Sequence, residues 1–197
     1  MAEAIFLSSP WARIGRFWFK NRGVSPIPFF LLMIALPADF EVSVPATALL
    51  ALGIVLAEAL RLWAVGYAGS GTRTRGETVA QLVHAGPYRH TRNPLYLANI
   101  ALYTLCSLLF GFVYLSVAIF LFSCTQYIFI VSFEEEILRR SFGTRYETYQ
   151  KKVPRWWFSI LPRCAPSNHM FGLRGAIRSE RSTLLLILIM GIIRVAV

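Results

Sequence analysis

Apolar residues gather into five runs along the chain, at roughly 24–38, 46–67, 94–110, 112–133 and 183–197, and the segments between them hold nearly all the charge. A helix that crosses a bilayer needs about 20 residues at a rise of about 1.5 Å each. The runs 46–67 and 112–133 are therefore long enough to span alone. The run 94–110 can span if it turns tightly at Gly111 into the next, which makes 94–133 a helical hairpin. Pro26, Pro28 and Pro37 interrupt the first run, and the last is 15 residues long with Arg194 inside it. Those two are expected to be tilted, re-entrant or interfacial. Residues 11–19, WARIGRFWF, read as an interfacial amphipathic stretch whose aromatics and arginines suit the headgroup layer. The pattern predicts an all-α integral membrane helical bundle, a single domain of about five apolar helices.

Composition strengthens that expectation. The chain is 56% hydrophobic and 15% charged, with mean hydropathy +0.54, whereas about a quarter of an ordinary soluble domain is charged. Charge then adds an orientation. Of 20 Lys and Arg, 18 lie in Arg13 to Arg22, Arg73 to Arg92 and Arg139 to Arg181, while the loop 38–45 holds Asp39 and Glu41 and no cation. By the positive-inside rule the N-terminus, the loop 68–93 and the segment 134–182 face the cytosol. The net charge of +10 follows mostly from this topology, with attraction to anionic headgroups as a second effect. No nucleic-acid motif accompanies these cations, so no nucleic-acid partner is expected. Met1 to Arg22 lacks a secretory signal pattern. Cys106, Cys124 and Cys164 show no metal-ligand spacing, so no metal site is expected.

Two stretches carry chemistry. In HAGPYRHTRNPLYLANI, His84 to Ile100, Arg89 and Arg92 stand just before a helix start at Asn93-Pro94. Asn can cap free amides, Pro suits the first helical position, and the positive end of the helix dipole adds to the cations, so they either make a place for an anion or are only the positive-inside flank of a membrane helix. Gly86-Pro87 supplies a tight turn where backbone can approach a ligand. In FEEEILRRSFGTRYETYQKKVPRW, Phe133 to Trp156, Glu134, Glu135 and Glu136 are three of only ten acidic residues, at a boundary where cations are expected. They either bind a cationic group or pair with Arg139 and Arg140 at helical spacing. One hairpin joins the two stretches, so an anion site and a cation site meet at a lipid interface, as a zwitterionic ligand such as S-adenosylmethionine requires. Glu58 and Arg61, inside the second apolar run at i,i+3, form an intramembrane pair that either satisfies itself or marks a site.

The same residues carry a resemblance. LVHAGPYRHTRNPLYLA, followed some forty residues on by EEEILRRSFGTRYETYQKKVP, resembles the isoprenylcysteine carboxyl methyltransferases and their phospholipid methyltransferase relatives over about residues 60–156. The resemblance implies a small helical membrane enzyme that binds S-adenosylmethionine on its cytosolic face. It also implies that an amphiphilic acceptor, a prenylcysteine-like carboxylate or a lipid headgroup, enters sideways from the bilayer. By position, Leu82, Val83, Gly86 and Tyr88 would line the cofactor, with Arg92, Asn93, Pro94 and Tyr96 at the entry of the third apolar helix and Glu134 and Glu135 as the acidic pair. Arg92 would also lie near the reacting centre, and Lys152 near the acceptor's head. Asn93 replaces the family histidine of the RHP motif and Ala98 the glycine after the tyrosine, so no imidazole acts at 93. Ala80 stands where the family has a further histidine, and His84, four residues on, is the candidate to replace it. The carboxyl-terminal pattern also resembles the sterol reductases, which bind a nicotinamide dinucleotide phosphate, although this chain is short for them. A catalytically silent membrane protein is the remaining alternative. No dedicated base stands out, which favours oxygen or sulfur acceptors over amines.

Overall fold

The computed structural model describes residues 10–69 and 81–196. Arg73, Arg75 and Ala80 lie outside the described residues. Within them the chain is helical, with no strand: α1 (Pro10–Asn21), α2 (Ile27–Ala35), α3 (Val44–Ala68), α4 (Pro94–Leu109), α5 (Val113–Phe142), α6 (Thr144–Lys152) and α7 (Leu173–Ala196), with a 3₁₀ turn at Gly86–Arg89. α3, with 25 residues, and α5, with 30, are long and apolar enough to cross a membrane, and α4 is a shorter apolar helix. Leu49, Leu52 and Val55 on α3, Val117 and Leu121 on α5, and Leu185, Leu188 and Ile192 on α7 point outward, as lipid-facing residues do. The chain is a membrane helical bundle.

α4 lies between α3 and α5, α7 packs on α3, and α1 packs on α5. The hairpin forms as expected. Gly111 turns it at φ +80°, and a Cβ there would fall 2.1 Å from the Phe40 carbonyl oxygen. The start of α5 is capped from outside the hairpin, since Asp39 accepts hydrogen bonds from the amides of Val113 (2.8 Å) and Tyr114 (3.1 Å). A carboxylate at this end satisfies orphan amides and opposes the positive end of the helix dipole.

α1 is more than a surface stretch. Ala12, Gly15 and Phe19 are buried against α5, and a Cβ on Gly15 would lie 2.0 Å from the Phe129 carbonyl oxygen. Small residues permit this backbone approach, which carries helix association where the hydrophobic effect is absent. Trp11 stacks on Phe129 and Phe19 leans on Phe133. α2 has nine residues and buries none of them, so at about 14 Å it is too short to span. α7 begins ten residues ahead of the last apolar run, because Leu173 to Ser182 continues the same helix.

The intramembrane pair is also larger than its local spacing suggests. Arg61 reaches Glu180 of α7 at 2.5 Å and Asn99 of α4 at 2.7 Å, and its Nε lies 3.5 Å from Glu58. Asn99 in turn donates to the Tyr127 hydroxyl of α5 at 3.1 Å. This buried network joins four helices, and every member is a polar group that lipid cannot satisfy.

Candidate active site

The segment before α4 has little regular structure of its own, so its shape comes from α6 and the chain after it. The Arg92 amide donates to the Pro154 carbonyl (2.9 Å), the Tyr149 hydroxyl to the Tyr88 carbonyl (2.7 Å), and the amides of Ser159 and Arg163 to the carbonyls of His90 and Arg89. Asn93 occupies the N-cap position of α4, yet its side chain makes no capping bond and donates instead to the Arg155 carbonyl at 3.0 Å. Arg89 likewise turns away, with Nε donating to the Cys164 carbonyl at 2.8 Å. Of the two arginines expected to hold an anion, only Arg92 faces the cavity.

That cavity, of about 640 Å³, opens between the end of α3, the segment 81–96, the end of α5, α6 and the start of α7. Its size is that of a small-molecule site. Leu82, Val83, Tyr88, Arg92, Asn93, Pro94, Tyr96, Glu134 and Glu135 all line it. His84 and Gly86 stand behind the lining. The His84 ring meets the Ala165 carbonyl at 3.0 Å through Nδ1. Gly86, at φ +55°, lets Tyr67 lie where a Cβ would be, 2.2 Å from the nearest ring atom, and Tyr67 is itself a lining residue. Lys152 is exposed and lines a separate open groove of about 710 Å³, of which Arg92 is also a wall.

The three glutamates face different partners, as consecutive residues of a helix do at about 100° per residue. Glu136 pairs with Arg140 at 2.5 Å across one turn. Glu135, buried, is held by Arg92 at 2.9 Å, by Arg155 at 2.5 and 3.1 Å, and by Gln150 at 3.3 Å. Glu134 accepts the Tyr96 hydroxyl at 2.7 Å and has no cation within ion-pair distance among the described residues. The cavity therefore presents one carboxylate whose charge is not matched by direct contact. Arg92 presents the complement, because its buried Nε has no hydrogen-bond partner among the described residues. Burial, then the charge of Glu134, raises the Tyr88 hydroxyl above its ordinary range, so Tyr88 remains a neutral donor. Burial, then the charge of Glu135, does the same for Tyr146.

One wall comes from the segment 159–182, which the sequence left with two readings, a cap on the site or a lead into the last apolar run. His169, Met170, Gly172, Gly175 and Ala176 close the cavity from the start of α7, fixed by the Gly172 amide donating to the Gly66 carbonyl at 2.9 Å and by Phe171 beside Tyr67. The only signal for it was the Gly/Pro-rich composition of residues 159–182 between two readable elements.

Comparison with known proteins matches the phospholipid methyltransferase family over residues 42–145, just over half of the chain. The match runs from ahead of α3 through the hairpin and the three glutamates, and leaves the backing segment after α6 outside it. No curated protein and no solved structure matches the chain. The chain belongs to the phospholipid methyltransferase family, which implies methyl transfer to lipid-type substrates.

Proposed function

We propose that the protein transfers a methyl group from S-adenosylmethionine to an amphiphilic acceptor at the cytosolic face of the membrane, as a multi-pass enzyme with a cytosolic N-terminus. The observation that carries this is the pairing, in one cavity, of a partly buried arginine whose Nε has no partner among the described residues and a glutamate with no cation in contact among them. A ligand with both a carboxylate and a cationic group satisfies both, and each charge-assisted hydrogen bond contributes about 1.5–3 kcal/mol. When bound, S-adenosylmethionine supplies a methyl group on a sulfonium, poised for in-line displacement.

The chain's own residues would do the rest. Arg92 would hold the carboxylate, Glu134 the ammonium, and the Tyr88 hydroxyl would donate to the ligand. Glu135 would act one step back, holding Arg92 in place from one side while Arg155 balances it from the other. Leu82, Val83, Ile137 and Leu138 exclude water, which strengthens every electrostatic contact inside. Lys152 would meet the acceptor's anionic head in the adjoining groove, with Arg92 as the wall common to both. A carboxylate acceptor then needs only orientation. An amine acceptor must lose a proton, which calls for a base that is not already holding the cofactor.

Calorimetric titration in detergent tests the cofactor. S-adenosylmethionine or its demethylated product is expected to bind at micromolar scale. No heat and no thermal stabilisation, beside clear stabilisation by a nicotinamide dinucleotide phosphate, would favour a reductase instead.

A further inference from the structure

A second cavity of about 260 Å³ lies between the α1–α2 connection and helices α4, α5 and α7, and it shares no lining residue with the first. Phe30, Met33, Leu102, Ile119, Phe122 and Ile187 make its walls largely apolar. Its rim includes Ile27 on α2 and Leu186 on α7, both exposed on the lipid-facing surface, so it opens toward the bilayer. Ser25, Arg61, Tyr103, Ser123, Gln126 and Thr183 add polar groups to these walls, and the Gln126 amide is a neutral donor left over among them. Gln126 is 4% exposed, lines the cavity, and its Nε2 has no hydrogen-bond partner among the described residues. It sits eight residues before Glu134 on α5, hence about 12 Å deeper along the helix, where no bulk water reaches to accept a hydrogen bond from it. The charge at the wall is already committed: Arg61 is held by Glu180 and Asn99, with Glu58 beside it. Arg61 is the charged residue of the lining, so a cationic occupant would face its charge and an anionic one would compete with Glu180 for it.

We propose that this cavity binds an uncharged lipid that carries a hydrogen-bond acceptor, a carbonyl or hydroxyl oxygen, part-way along its apolar body, where it accepts a hydrogen bond from the Gln126 amide. An ordinary acyl chain would fill the walls and leave the amide unpaired. The proposal goes beyond methyl transfer and can fail without it, because the two cavities have separate linings.

The probes are 6-undecanone and n-undecane, equal in length and differing by one mid-chain oxygen, titrated into the full-length protein in detergent with thermal stabilisation as the readout. Wild-type protein is expected to bind the ketone roughly three- to tenfold more tightly than the alkane, the range of one net hydrogen bond. Gln126→Leu is expected to erase that preference, with S-adenosylmethionine binding unchanged. Met33→Trp, on α2 with its unburied surface, fills the mouth and is expected to abolish binding of both probes even if Gln126→Leu fails to fold. Equal binding of the two probes to wild-type protein would overturn the proposal and leave the cavity a plain apolar gap. So would a ketone preference that survives in Gln126→Leu, or binding that survives in Met33→Trp.

Discussion

Glu134→Gln removes one negative charge from the larger cavity while keeping the side chain's length and an oxygen to accept the Tyr96 hydroxyl, which lies 2.7 Å from Glu134. The fold should hardly notice, because that hydrogen bond survives and no cation of the protein is left without a partner. The ligand should notice, because a charge-assisted hydrogen bond is worth about 1.5–3 kcal/mol, and at about 1.4 kcal/mol per decade the affinity for S-adenosylmethionine should fall roughly 10- to 100-fold. The neighbouring positions supply the controls. Glu136→Gln weakens a pair between a buried carboxylate and Arg140, whose side chain is 41% exposed, so it should cost less stability than the about 3–5 kcal/mol of a fully buried pair and leave affinity alone. Glu135→Gln weakens the hold on both Arg92 and Arg155. It should lower affinity and stability together, the latter by less than the about 3–5 kcal/mol of a fully buried pair, because Arg155 is 34% exposed. Calorimetry and thermal unfolding on the three variants measure both quantities. Wild-type affinity in Glu134→Gln, or an equal loss in Glu136→Gln, would refute the assignment of Glu134 to the ligand's cationic group.

Two further outcomes follow from contacts outside the cavity. Arg61→Leu removes the guanidinium that Glu180 meets at 2.5 Å inside the bundle, and breaking such a pair should cost about 3–5 kcal/mol, read by unfolding in mixed detergent; Arg61→Leu with Glu180→Leu should recover part of it, whereas no loss in the single variant would reduce the network to packing. Lys152→Ala, at an exposed position on the adjoining groove, should lower turnover of an anionic acceptor and leave S-adenosylmethionine affinity within about twofold, measured by calorimetry beside initial rates; a matching drop in both would remove Lys152 from the acceptor's side.

The two long apolar helices were legible because a run of about 20 apolar residues has few other uses, and the hairpin because Gly111 separates one of them from a shorter apolar helix. The meeting of the segment 82–96 with Glu134 and Glu135 followed from the hairpin that joins them. What the sequence hid was partnership across helices. Glu58 and Arg61 advertise an i,i+3 pair, but the stronger partner, Glu180, lies 119 positions away on α7; its only trace was a lone acidic residue just ahead of an apolar run. Asn93 and Arg89 look like a cap and an anion ligand, and both instead donate to carbonyls of the segment after α6. That segment has no regular structure of its own, so neither periodicity nor capping chemistry could show that it backs the site. Asp39 was read for topology alone, yet it caps α5 from a distant loop.

The most direct measurement is to supply S-adenosylmethionine labelled on its transferable methyl group to membranes containing the protein and to separate lipid-extractable from water-soluble products. Label is expected in the lipid-extractable fraction, lost in Arg92→Ala and reduced in Glu134→Gln. Label confined to water-soluble products, or undiminished in both variants, would contradict methyl transfer to an amphiphilic acceptor at this cavity.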